Sequence, residues 1–96
     1  MKADFLSLAQ SLKTRFPDAR IETDFFDLGG ALLCFMWHDK MWEFEFQPAW
    51  GFGVTEVKEE DSFTRHQDFI SPDFECAFHQ LLTLIWAYSQ EPHLAA

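Results

Sequence analysis

Basic residues are scarce in this chain. Seven Lys and Arg stand against sixteen Asp and Glu, a formal net charge of −9. Nucleic acids and anionic membranes are bound by Lys and Arg that neutralise phosphate, so neither is an expected partner. Cysteines number two, Cys34 and Cys76, with no CxxC spacing. That excludes a disulfide framework and points to free thiols in a reducing cytosol. None of the four histidines (His38, His66, His79, His93) has another three to five residues away, so no metal and no cofactor is expected. His79 follows Cys76 by three residues, which reads as a surface histidine beside a small cysteine. No apolar run approaches the roughly 20 residues of a membrane span. Met1-Lys2 leads at once into Asp4 and a helical pattern, so no signal peptide is expected and the expected location is cytoplasmic. Glycine and proline number four each, and no repeat, linker or low-complexity tract interrupts the chain.

What is abundant is apolar and aromatic mass. Hydrophobic residues make up 48% and aromatics 18% of 96 residues, enough for one packed domain over residues 1–96. The densest stretch is Ala31 to Gln47. Ala31 to His38 is apolar on both faces, as a central strand is. Met41 to Gln47 alternates, with Trp42, Phe44 and Phe46 on one side and Glu43, Glu45 and Gln47 on the other. A four-residue loop centred on Asp39-Lys40 sets Trp37 opposite Trp42, Phe35 opposite Phe44 and Leu33 opposite Phe46. Met36 then faces Glu43, and Cys34 faces Glu45.

The flanking segments follow from period and punctuation. Phe5, Leu8, Ala9, Leu12 and Phe16 form a helical stripe over residues 3–16, stopped by Pro17. Residues 19–27 read as a strand. A three-residue loop, Leu28-Gly29-Gly30, pairs Phe25 with Leu33, Thr23 with Phe35 and Ile21 with Trp37, and keeps Glu22 and Asp24 out of the core. After the Pro48-Ala49-Trp50-Gly51 turn, residues 51–57 form a fourth strand, with Phe52 against Phe46 and Val54 against Phe44. Lys58 to Asp61 is an acidic turn, and a short edge strand is expected within 66–70. Ser71 as N-cap, Pro72 and Asp73 start a helix whose stripe runs from Phe74 to Tyr88. The expected fold class is therefore α+β, a two-layer sandwich. A four-stranded antiparallel meander carries the N- and C-terminal helices on one face, in the order α-β-β-β-β-α.

That arrangement leaves one sheet face open. It is expected to display Glu22, Asp24, Glu43 and Glu45 around Leu32, Cys34 and Met36, with Trp50 nearby and Glu59, Glu60 and Asp61 in the following turn. Apolar residues ringed by charge describe a protein-binding patch. The competing account is that the 58–70 segment folds over part of it. Solvation alone explains Glu43 and Glu45 without acid–base chemistry.

The order of elements, the Trp50-Gly-Phe-Gly-Val54 strand, the acidic turn after it and the Ser71-Pro-Asp-Phe-Glu75 helix start resemble small acidic bacterial immunity proteins. The resemblance implies a non-enzymatic inhibitor that neutralises a basic partner, such as a nuclease toxin, through an acidic surface. No functional residue is carried over from it. Two other classes stay open: an acidic secretion chaperone or adaptor, and a small metal protein or enzyme using the His and Cys residues. The chain is expected to be a monomer or a homodimer.

Overall fold

The computed structural model describes residues 2–57 and 69–90. These form α1 (Lys2–Arg15), β1 (Arg20–Phe25), β2 (Ala31–Trp37), β3 (Lys40–Gln47), β4 (Gly51–Val57), β5 (Phe69–Ser71) and α2 (Phe74–Ser89). The five strands make one antiparallel sheet in the order β1-β2-β3-β4-β5. The fold is α+β with a helix near each end of the chain. The meander has five strands, not four. The fifth, β5, overlaps the short edge strand expected within 66–70 and is a three-residue edge pairing Phe69 with Val54 and Ser71 with Phe52.

Alternation assigns the two faces. Leu33, Phe35, Trp42, Phe44 and Val54 are fully buried on one side, together with Phe5, Leu12, Leu81 and Ile85 from the helices. Phe44 stands at the centre of this layer. Its ring centroid lies 5.4 Å from Phe5 of α1, 5.7 Å from Phe74 of α2 and 5.9 Å from Phe52 of β4. One residue of the sheet is thus held by both helices, which places both on the same face. Tilted and edge-on pairs of this kind contribute about 0.5–1.5 kcal/mol each beyond the area they bury. Trp42 is buried with its indole N–H lacking a hydrogen-bond partner among the described residues, a cost that its large apolar contact offsets.

Two hairpin registers differ from the sequence expectation, each by two residues. In β2–β3, Leu33 pairs with Phe44, Phe35 with Trp42, Cys34 with Glu43 and Leu32 with Glu45. The connection is a two-residue turn, His38-Asp39, with φ of 51° and 66°. Both residues are in the left-handed region required by the turn that matches strand twist. Tyr88 of α2 holds this turn by donating its hydroxyl to the His38 carbonyl at 2.8 Å. In β1–β2, Ile21 pairs with Phe35, Thr23 with Leu33 and Phe25 with Ala31. The loop is three residues long, as expected, but comprises Asp27-Leu28-Gly29. It is closed by the Phe26 N–H donating to the Gly30 carbonyl, with Gly29 at φ 96°. A shift of two leaves every side chain on its expected face. The β3–β4 register is as expected, Phe44 with Val54 and Phe46 with Phe52.

The start of α2 also differs. Asp73, not Ser71, is the N-cap, and its carboxylate accepts from the Glu75 N–H at 3.2 Å. Ser71 is spent in β5, and its hydroxyl accepts from the Asp73 N–H at 3.1 Å. This junction presses on Gly51, which has φ 95°. A Cβ there would lie 2.7 Å from the Ser71 carbonyl oxygen and 2.9 Å from Pro72 Cα. Gly51→Ala is expected to lower the unfolding free energy by at least about 1–2 kcal/mol, read by denaturant titration. Phe44→Ala is expected to cost about 3–5 kcal/mol in the same measurement, because both helices lose their shared contact.

Candidate protein-docking site

The sheet face away from the helices is built in rows across the strands. One row is Arg20, Met36, Met41 and Val57. The next is Glu22, Cys34, Glu43 and Thr55. The third is Asp24, Leu32, Glu45, Gly53 and Ile70. Glu22 and Asp24 are exposed along β1, while Met36 and Glu45 are half-buried. Glu43 departs from the expectation of a displayed carboxylate: it is 6% exposed. It occupies the middle strand of its row, between Cys34 and Thr55, with Oε2 3.9 Å from the Cys34 sulfur. Thr55 beside it is equally enclosed at 8%. The exposed acids of this face therefore lie at its β1 margin, while its middle row, Cys34, Glu43 and Thr55, has little exposure. Glu59, Glu60 and Asp61 lie outside the described residues, as does the 58–68 stretch expected to follow β4.

The two ends of the meander differ. At the β2–β3 end, polar contacts tie the surface down. The Trp37 indole donates to Asp18 at 3.2 Å, His38 lies 4.0 Å from Asp18, and Lys40 pairs with Glu56 at 3.4 Å. At the opposite end the β1–β2 loop and the β3–β4 turn come together. The Gly29 backbone approaches Pro48, whose Cγ lies 3.4 Å from where a Gly29 Cβ would sit. The Phe26 ring lies over Gly30, 3.1 Å from the corresponding position, and Gln47 Oε1 stands at 3.2 Å. Such a ring covers a glycine that contributes no side chain of its own.

This end leaves apolar groups in solvent: Leu28 is 93% exposed, Phe26 46% and Trp50 36%. Asp24 and Asp27 flank them, both exposed. Sequence reasoning found Trp50 and Asp24 but missed Phe26, Leu28 and Asp27. The signal was available: Phe25, Phe26 and Leu28 crowd a turn, where polar residues belong. Of the sequence-derived site residues, the structure gathers Asp24 and Trp50 at one end, with Glu45 linked to that end through Gln47 at 2.7 Å. Glu22 and Met36 lie further along the face, and Glu43 is enclosed.

Among the described residues, no three His, Cys, Asp or Glu side chains come together as a metal site would need. No helix among them is long and apolar enough to cross a membrane. No disulfide joins Cys34 and Cys76. Cys76 is exposed on the first turn of α2, 3.3 Å from Asp73 Oδ2. Its hydrogen bond to that carboxylate, then the carboxylate's charge, push the thiol pKa up. The thiolate is the reactive species, so Cys76 is poorly suited to nucleophilic work. Comparison with family models, with curated proteins and with solved structures found no match to the chain.

The Cys76 geometry gives a test. With Cys34→Ser to leave one thiol, Asp73→Asn keeps an N-cap oxygen but removes the charge. The pH midpoint of iodoacetamide alkylation is expected to move down. An unmoved midpoint would show that Asp73 does not govern the thiol.

Proposed function

We propose that this chain is a non-enzymatic binding protein that neutralises a basic protein partner in the cytoplasm, as small immunity and antitoxin proteins do. The observation that carries this reading is the loop end, where Phe26, Leu28 and Trp50 stand in solvent beside Asp24 and Asp27. Exposed apolar groups of this size, gathered and rimmed by charge, describe a recognition surface better than a solvated one. Aromatic anchors of this type supply most of the binding energy in protein interfaces. The acidic rim and the net charge of −9 would speed encounter with a basic surface.

The supporting contrast is internal to the molecule. The same aromatic-rich chain secures Trp37 and Tyr88 at the other end with hydrogen bonds to Asp18 and His38, and leaves the loop end without such ties among the described residues. Glu45 and the β1 carboxylates extend the acidic surface from that end along the sheet. Glu59, Glu60 and Asp61 remain in the proposal as further acidic contacts from the segment after β4.

The test is affinity capture with the immobilised chain from a lysate of its source cells, followed by identification of what is retained. A basic protein is expected, held more weakly as salt rises. Leu28→Ser and Trp50→Ala are each expected to weaken its binding roughly tenfold or more, mainly through faster dissociation. Asp24→Lys with Asp27→Lys is expected to slow association and flatten its salt dependence. Leu28 is almost wholly in solvent, so its loss acts on docking and not on folding. A retained protein indifferent to all four substitutions would refute this surface.

A further inference from the structure

β1 is an edge of the sheet, and its outer side has a defined phase. The Phe26 N–H donates to the Gly30 carbonyl, so Asp24, Glu22 and Arg20 direct their backbone groups to β2. Ile21, Thr23 and Phe25 direct theirs outward. Among the described residues no strand pairs with that side. The outward groups of Ala19 are occupied: its N–H donates to the Phe16 carbonyl and its carbonyl accepts from Lys13 Nζ at 2.6 Å. The open stretch therefore begins at Ile21. Beside it runs a groove of about 430 Å³ between β1 and α1, lined by Ala9, Gln10, Lys13, Arg20, Ile21 and Thr23. Leu6, 47% exposed, falls on the same stripe of α1 as Ala9, Gln10 and Lys13.

We propose that β1 pairs antiparallel with β1 of a second copy of this chain, about a two-fold axis at Glu22, joining two five-stranded sheets into one. Charge and the occupied backbone groups of Ala19 together select this register. Outward backbone meets outward backbone when the axis passes through Ile21, Glu22, Thr23 or Asp24; at Asp24 two Asp24 carboxylates meet and Arg20 faces no acid. An axis at Thr23 sets Glu22 against the second copy's Asp24, acid on acid. An axis at Ile21 opposes Thr23 to Ala19, whose backbone groups are already used. The axis at Glu22 sets Arg20 opposite the second copy's Asp24, twice. It also matches Ile21 with Thr23 in hydrogen-bonded pairs.

Opposed side chains at the Arg20–Asp24 positions are close enough to interact. The two Glu22 carboxylates meet at the axis, each beside its own Arg20 at 3.3 Å. Charged residues on edge strands ordinarily prevent such pairing. Here the order plus, minus, minus, reversed about its middle residue, sets both outer positions opposite an unlike charge. Closing the edge brings the α1 stripes together, with Ala9 allowing close approach and Leu6 losing water. The loop end with Phe26, Leu28 and Trp50 lies off the axis, so this inference does not depend on the partner reading.

The test is sedimentation velocity of the untagged chain across a dilution series. The wild type is expected to show a reversible monomer–dimer equilibrium. Thr23→Pro removes an N–H that faces away from β2, so the monomer keeps its ladder and dimerisation is lost. Arg20→Asp is expected to weaken self-association roughly tenfold, by exchanging two attractive pairs for repulsive ones. Adding Asp24→Arg to it restores the complement and the dimer. A wild type that is monomeric at every concentration would overturn the inference. So would a dimer that Thr23→Pro leaves intact, or a charge swap that restores nothing. Sedimentation of the wild type and of Thr23→Pro reads self-association alone, whereas capture is read at Leu28 and Trp50; Asp24 is common to both surfaces.

Discussion

Phe44 is the point through which the two halves of the molecule are coupled. Its ring meets Phe5 from one helix and Phe74 from the other, and its neighbour across the ladder is Val54. Because side chains alternate along β3, the choice of face for Phe44 is also made for Trp42 and Phe46 and, through pairing, for Leu33 and Phe35. Both helices then have a single surface to cover. What faces away is left to the carboxylates, to Cys34 and to the methionines. A domain of this size has modest stability to spare, so removing one shared ring is a large fraction of it.

That alternation explains which parts of the fold were legible in the sequence. Period two fixes the face of a residue but not the strand offset, since slipping by two restores the same sorting. Each of the first two hairpins is offset by two residues from the pairing that turn chemistry suggests, and no side chain changes sides. The β2–β3 turn was obscure because His38 and Asp39, neither of them glycine or asparagine, take the left-handed conformation, held from α2 by Tyr88. The helix start misled because Ser71 and Asp73 both satisfy cap chemistry. Only the pairing of Ser71 with Phe52 decides between them. β5 is too short to carry a period.

The site was less legible than the fold. Counting acids along strands predicts a broad negative surface, but burial depends on what neighbours a residue across the sheet. Glu43 sits between Cys34 and Thr55 and is enclosed, whereas Glu22 and Asp24 sit at the margin and are not. The exposed apolar cluster arises from two loops that meet only because β1–β2 and β3–β4 turn at the same end. Phe26 and Leu28 look in the sequence like the tail of a strand, and they become a surface only through that juxtaposition. The acidic margin and the apolar end are the features on which the docking account rests.

Recognition at the loop end, and not on the helices, is the central proposal. Backbone hydrogen exchange, compared between the free chain and its complex with the captured protein, tests this most directly. The account predicts slowed exchange over residues 24–30 and 47–51, with the exposed faces of α1 and α2 unchanged. Slowing confined to α1 or α2, with both loops exchanging as in the free chain, would contradict it.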